Sequence, residues 1–238
     1  MGRWIDVAHR ARALARWPGV SPDRCSACGL ADGDPFCVAC SEDYFPRDIR
    51  RCRCCALRLP ATVSTLCAHC LQQSPSFDAT LACADYAAPV SGMVLALKNG
   101  GRLALARAFG RLLASRIDPE AFDGALFVAV PLAFERQRER GFNQSHEIAR
   151  AFARARGLRL AHGLLVRTRH APPQHLLDLD ARRRNLRGAF AVRAPVKDRH
   201  VAVIDDVMTT GSTMQEIATT LKRAGCTRVT NLVIARTP

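Results

Sequence analysis

Val201-Ala202-Val203-Ile204-Asp205-Asp206-Val207-Met208-Thr209-Thr210-Gly211-Ser212-Thr213 decides how this chain folds. The Val/Ile-rich run has the length and content of a strand buried on both faces. In an open α/β sheet, the carboxyl end of such a strand faces a ligand crevice. Thr209 to Thr213 can turn backbone N–H groups and hydroxyls towards one phosphate, with Gly211 permitting the tight turn. The helical pattern from Ser212 to Ala224 points its positive end at the same phosphate. Asp205 and Asp206 then sit where a ribose diol and a hard cation such as Mg²⁺ would lie. A chance strand–turn–helix with a Thr/Ser cap would not require two carboxylates before the turn. The stretch is therefore a device for holding a sugar phosphate.

Elements upstream and downstream follow the same alternation. Leu81–Tyr86 reads as an edge strand, and Val90–Leu97 as a helix interrupted at Asn99-Gly100-Gly101 and resumed from Arg102 to Ser115. Leu126–Val130 is a strand ended by Pro131, Gln144–Arg156 a helix, Leu164–Arg167 a strand, and Val229–Ile234 the last strand. The fold class is α/β: a mostly parallel sheet with helices on both faces, preceded by a small cysteine-rich module. The change of composition near Ser74-Pro75-Ser76-Phe77-Asp78 divides the chain into residues 1–74 and 75–238.

Ten of the eleven cysteines lie within the first 83 residues, and eight form Cys-x-x-Cys pairs: Cys25/Cys28, Cys37/Cys40, Cys52/Cys55 and Cys67/Cys70. No apolar h-region of a secretory leader opens the chain, and no run reaches the length of a membrane span, so a cytoplasmic protein is expected. In that compartment the pairs argue for metal, not disulfides. Two thiolates per knuckle and two knuckles per ion make a tetrahedral structural Zn²⁺ site. Sequential and cross-braced pairing both satisfy the spacing. Cys54, Cys83 and Cys226 are left over, with Cys226 expected as a small buried hydrophobe and His69 as a solvated or outer residue. An N-terminal amphipathic helix carrying Trp4, Val7 and Leu14 is expected to pack on the body.

The charge is unevenly divided. Residues 1–90 carry 10 basic and 9 acidic groups, whereas residues 91–238 carry 25 and 12, a net +13 out of +14 for the chain. Arg136, Arg138 and Arg140 form one cluster; Arg182, Arg183, Arg184 and Arg187 form another and are candidates for nucleic-acid phosphates.

The Asp205–Thr213 stretch resembles the phosphoribosyl pyrophosphate (PRPP) signature of type I phosphoribosyltransferases. With the knuckles, Leu97-Lys98-Asn99-Gly100-Gly101-Arg102, Val130-Pro131-Leu132, Arg140-Gly141-Phe142-Asn143-Gln144, Pro172-Pro173-Gln174 and Arg184-Asn185-Leu186-Arg187-Gly188-Ala189-Phe190, the order of motifs resembles the ComF family. That resemblance spans roughly residues 25–236 and implies a zinc-ribbon-like module on a phosphoribosyltransferase domain with a role in taking up single-stranded DNA. Two places depart from it: Asn99-Gly100 replaces an aromatic–basic pair, and Ala171 stands where a threonine precedes the double proline.

Phosphoribosyl transfer breaks an anomeric C–O bond, so it needs a held diol and a stabilised diphosphate, with no covalent step. Asp205 and Asp206 fit the diol and Mg²⁺; Thr209, Thr210, Gly211, Ser212 and Thr213 fit the 5′-phosphate. The turn at Val130-Pro131 is a candidate diphosphate loop, Lys98 and Arg140 are candidates to neutralise the leaving group, and Arg140–Gln144 is a candidate lid. Two classes stay open. One is a competence protein that binds PRPP-type ligands and handles single-stranded DNA with other competence proteins. The other is an enzyme that transfers phosphoribose to an acceptor and is unrelated to DNA uptake.

Overall fold

The apolar run at Val201 forms β5 (His200–Met208), which pairs in parallel with β6 (Arg228–Arg236) at the centre of the sheet. Most residues of both strands are buried, so neither alternates between apolar and polar; each is covered on two faces. β1 (Ala79–Asp85) adds to β6 and β2 (Leu126–Ala129) to β5, giving an all-parallel sheet in the order β1-β6-β5-β2. The described residues of this computed structural model are 24–31, 35–63, 65–168 and 186–238. The expected N-terminal helix, the double proline and Arg182, Arg183 and Arg184 lie outside them.

Alternation along β5 sorts the core into two layers. Ala202 and Ile204 face α3 (Val90–Gly100), α4 (Leu103–Ala114) and α6 (Gln144–Arg156). Val201 and Val203 face α7 (Ser212–Arg223). Helices thus cover both faces, as expected. Gly101, at φ +60°, separates α3 from α4 at the interruption that the sequence marked. α4 buries Leu105, Phe109 and Leu112/Leu113, and its Gly110 meets α6 so closely that an added Cβ would stand 2.5 Å from the Ala151 Cβ and 2.7 Å from the Ile148 carbonyl oxygen. Gly110→Ala should therefore destabilise the chain by about 1–3 kcal/mol through overpacking. A lower denaturant midpoint with an unchanged m-value would register it; an unchanged midpoint would mean that the helices can separate.

Two features differ from expectation. The strand expected at Leu164–Arg167 exists as β3 (Leu165–Arg167), but it pairs antiparallel with β4 (Phe190–Val192) in a separate ribbon. Ahead of β3 the chain meets β2 of the main sheet through a parallel bridge between Leu160 and Phe127. In addition, α5 (Phe134–Arg140) follows the Val130-Pro131 turn, where no helix was expected. It buries no residue, so apolar periodicity cannot announce it.

The cysteine-rich region is two copies of one small unit. Each begins with a knuckle closed by a β-bridge, Arg24 to Ala31 or Arg51 to Arg58, and ends in a short helix that starts just after a cysteine. These helices are α1 (Val38–Tyr44) and α2 (Ala68–Gln72). The first unit joins the core layer of α3, α4 and α6 through Phe36 and Phe45. The second joins the α7 layer through Cys52, Cys55 and Phe77, so the two units pack on opposite faces of the sheet.

Candidate functional site

Asp205 and Asp206 stand near the carboxyl end of β5 and take different partners. Asp206 is buried and pairs with the Lys98 ammonium on α3 at 3.0 Å; its other oxygen, Oδ2, is buried with no partner among the described residues. Asp205 Oδ1 accepts from the Ser145 hydroxyl at 2.5 Å and from the Asp206 backbone N–H at 2.9 Å. Burial, with Asp206 beside it, pushes the Asp205 carboxyl up to about 7, although Ser145 and Lys98 act against the shift. The folded-state value lies above that of an unfolded chain. Folding thus favours the protonated acid, and that stabilisation is lost as pH rises through about 7.

The loop that follows is built around Gly211, whose φ of +80° is left-handed; an added Cβ would also meet the Met208 methyl at 2.7 Å. Thr210 Oγ1 lies 2.8 Å from Ser212 Oγ and accepts from the Ser212 N–H, which shapes the first turn of α7. A small cavity of about 60 Å³ is lined by Asp205 and Thr209 to Thr213 together, so one ligand can touch both the carboxylate and the loop.

Ser145 is a site residue that sequence reasoning missed. It follows the Arg140–Gln144 motif expected as a lid, and the structure pins that motif down. Asn143 caps α6 by accepting from the N–H groups of Ser145 and His146, and its amide donates to the Val130 carbonyl at 3.0 Å. Gln144 and Ser145 are buried, and Arg140 donates to Gln144 at 3.2 Å. The motif is thus a bracket between the Val130-Pro131 turn and Asp205, not a free flap. The signal for it is the Asn-x-Ser spacing at a helix start, a capping pattern.

Arg140 belongs to a cationic cluster. Burial lowers its pKa, and the nearby Arg136 charge lowers it further. Arg167 on β3 feels Arg136 as well; it lies over the Phe190 ring, and its buried Nε has no partner among the described residues. The antiparallel ribbon therefore contributes Arg167 to the cluster, a residue that the sequence did not single out. Arg187 is exposed, just before β4.

The cysteines settle the pairing that spacing left open. Cys25, Cys28, Cys37 and Cys40 form one cluster and Cys52, Cys55, Cys67 and Cys70 the other, with all four sulfurs of each within 4.8 Å of one another. Cys28 Sγ to Cys37 Sγ is 3.7 Å and Cys55 Sγ to Cys67 Sγ is 3.6 Å, close to the edge of about 3.8 Å that four metal–sulfur bonds of about 2.3 Å define in a tetrahedron. The donor set therefore fits a metal ion in each cluster, paired sequentially. Cys54 donates instead to the Phe77 carbonyl, Cys83 and Cys226 are buried in the core, and His69 is exposed.

One arginine links the second cluster to the loop. Arg236, at the end of β6, donates to the Cys55 carbonyl at 2.9 Å, and also to the carbonyls of Met208, Thr209 and Thr237. The backbone of a cysteine in the second cluster and the backbone entering the Thr209–Thr213 loop thus share one guanidinium.

A strand with paired carboxylates, a hydroxyl-rich loop at a helix start and a facing cationic cluster define the class. Residues 93–238 match the model of the phosphoribosyl transferase domain, and the chain belongs to that family. It is 38% identical over 208 residues to the DNA utilization protein YhgH of Escherichia coli K12, covering 85% of this chain and 90% of that one. It is also 31% identical over 179 residues to competence protein F of Haemophilus influenzae, covering 71% and 78%. Within the phosphoribosyltransferase-domain proteins, this is a member of the ComF family. Among the described residues, no helix is long and apolar enough to cross a membrane.

Proposed function

We propose that this chain binds a PRPP-type sugar phosphate with Mg²⁺ at the β5 site, holds one structural Zn²⁺ in each cysteine cluster, and handles incoming single-stranded DNA in the cytoplasm during natural competence, with other competence proteins as partners. The division into residues 1–74 and 75–238 is part of the same reading. The observation that carries the sugar-phosphate site is Asp206: a buried carboxylate with one oxygen on Lys98 and the other unpartnered among the described residues. Such an oxygen is costly unless a ligand hydroxyl or cation meets it. The relatives named for competence and DNA utilization support the biological setting.

In this reading, the N–H groups and hydroxyls of Thr209 to Thr213 bind the 5′-phosphate, while Asp205 and Asp206 orient the ribose diol. Ser145 holds Asp205 in place, and Lys98 fixes Asp206 and stands close to the diphosphate. Arg140, with Arg136 and Arg167, offsets the diphosphate charge near the Val130-Pro131 turn. Bound Mg²⁺ would add charge compensation for the diphosphate oxygens. The completeness of this set favours a second reading, in which phosphoribose is transferred to an acceptor and DNA is not involved.

Isothermal titration with PRPP and Mg²⁺, beside a labelled single strand followed by fluorescence anisotropy, separates the readings. Ionised Asp205 is the form that binds a cation and a diol. Its raised value predicts Mg²⁺-dependent PRPP affinity about tenfold weaker at pH 6 than at pH 8; a flat profile would remove Asp205 from the site. For DNA, a surplus of +13 over residues 91–238 predicts binding that weakens steeply with salt. Changing Arg182, Arg183 and Arg184 together to Ala should flatten the slope of log affinity against log salt and leave PRPP affinity unchanged. No strand binding at low salt would leave the enzyme reading alone.

A further inference from the structure

The phosphate loop has a second, larger cavity on its other side. It measures about 770 Å³ and lies between the second cysteine cluster and α7. It meets the small cavity beside Asp205 at Leu186, Met208, Thr210, Gly211 and Ser212, yet neither Asp205 nor Asp206 reaches it. One wall is a single face of α7, where Ser212, Gln215, Glu216, Thr219 and Arg223 follow the three-and-four spacing of a helix side. The opposite wall is the cysteine-rich region, where Leu57, His69 and Gln73 flank Cys55, Cys67 and Cys70 of the second cluster, so the cavity runs up to that cluster; Phe77 also lines it. The turn Leu186–Gly188 closes one end, held to α7 by the Gly188 N–H donating to Glu216 Oε1 at 2.7 Å.

A ribose 5-phosphate seated with its diol at the carboxylates and its phosphate on the loop leaves this cleft empty. The volume falls inside the roughly 300–1,000 Å³ of small-molecule sites. The lining combines apolar surface (Leu57, Phe77, Leu186) with three arginines, Arg187, Arg223 and Arg236, against one carboxylate, Glu216. Among the described residues, neither Arg187 nor Arg223 has an ion-pair partner. An apolar platform beside unpaired guanidinium groups suits a base and its phosphate.

We propose that this cleft is a second subsite, taking a nucleotide joined to the far side of the loop-bound phosphate. The preferred ligand is then a ribose 5-phosphate whose phosphate is itself substituted, either by a pyrophosphate link, as in a dinucleotide, or by a phosphodiester, as in a strand. The inference rests on the loop's role as the sugar-phosphate site.

The test is calorimetric titration of the full chain with Mg²⁺ and four probes: ribose 5-phosphate, ADP-ribose, AMP and the dinucleoside monophosphate ApA. ADP-ribose should bind at least tenfold tighter than ribose 5-phosphate if the link is a pyrophosphate; ApA should exceed AMP by the same margin if it is a diester. Arg223→Glu, at the exposed end of α7 and away from the loop, should abolish the gain while leaving ribose 5-phosphate affinity within twofold. Equal affinities within both pairs overturn the inference, as does an Arg223→Glu variant that weakens both members of a pair alike. A chain that binds PRPP but shows no gain loses only the cleft; a chain that binds neither PRPP nor ribose 5-phosphate loses the loop assignment and the cleft with it.

Discussion

Purified protein is expected to carry close to two Zn²⁺ per chain, and Cys67→Ser to lose one of them together with most sugar-phosphate affinity. The first half follows from two complete thiolate tetrads, in which binding energy is folding energy. The second half follows from Arg236, which ties the Cys55 carbonyl to the carbonyls of Met208 and Thr209. Once the second cluster loosens, that guanidinium no longer fixes the backbone entering the phosphate loop. Cys25→Ser is the control: its cluster packs on the opposite face of the sheet and should cost one ion with a far smaller effect on PRPP. Elemental analysis and titration calorimetry read both quantities. Equal losses of PRPP affinity in the two variants would show general unfolding, and full folding in metal-free protein would overturn the metal assignment. Arg236→Ala should weaken PRPP binding about tenfold or more with both ions retained.

Asp205→Asn combined with Asp206→Asn should abolish Mg²⁺-dependent PRPP binding, a loss of at least a hundredfold. The fold will not be wholly indifferent, although a strand-end position read from sequence alone suggests that it should be. Asp206 is buried and holds Lys98, so Asp206→Asn leaves a half-buried ammonium without its counter-charge. The expected cost is about 1–3 kcal/mol, below that of a fully buried pair because Lys98 keeps some solvent. Asp205→Asn alone should have the opposite sign at pH 8. It removes a carboxylate that folding prefers protonated, and it relieves the repulsion from Asp206. Thermal unfolding of the two single variants at pH 8 would therefore move in opposite directions. Movement in the same direction would refute the description of the pair, and unchanged PRPP affinity in the double variant would refute the site.

What could be read from sequence was whatever depends on local spacing. A buried parallel strand is a continuous Val/Ile run, so β5 and β6 were visible; a helix start needs a cap and a turn, so the Gly211 loop was visible; and a Cys-x-x-Cys knuckle is a two-residue gap, so all eight clustered cysteines were visible. α5 was not, because a helix that buries nothing leaves no apolar stripe, and its limits rest on Gly141 and the charges of its first and last turns. The ribbon of β3 and β4 was half visible: a three-residue strand shows its existence but not its partner, which is a long-range choice.

Tertiary structure alone decided the contacts between segments far apart in the chain. Sequential pairing of the knuckles, Ser145 on Asp205, Lys98 on Asp206 and Arg167 beside the Arg136–Arg140 cluster each join side chains whose separation in sequence carries no signal. The same holds for Arg236, which reaches from the end of the last strand to the second cysteine cluster and the Thr209–Thr213 loop. Spacing determined which chemistry the chain possesses; packing on the two faces of one sheet decided which groups meet, because only burial brings distant residues within hydrogen-bond reach and keeps them there.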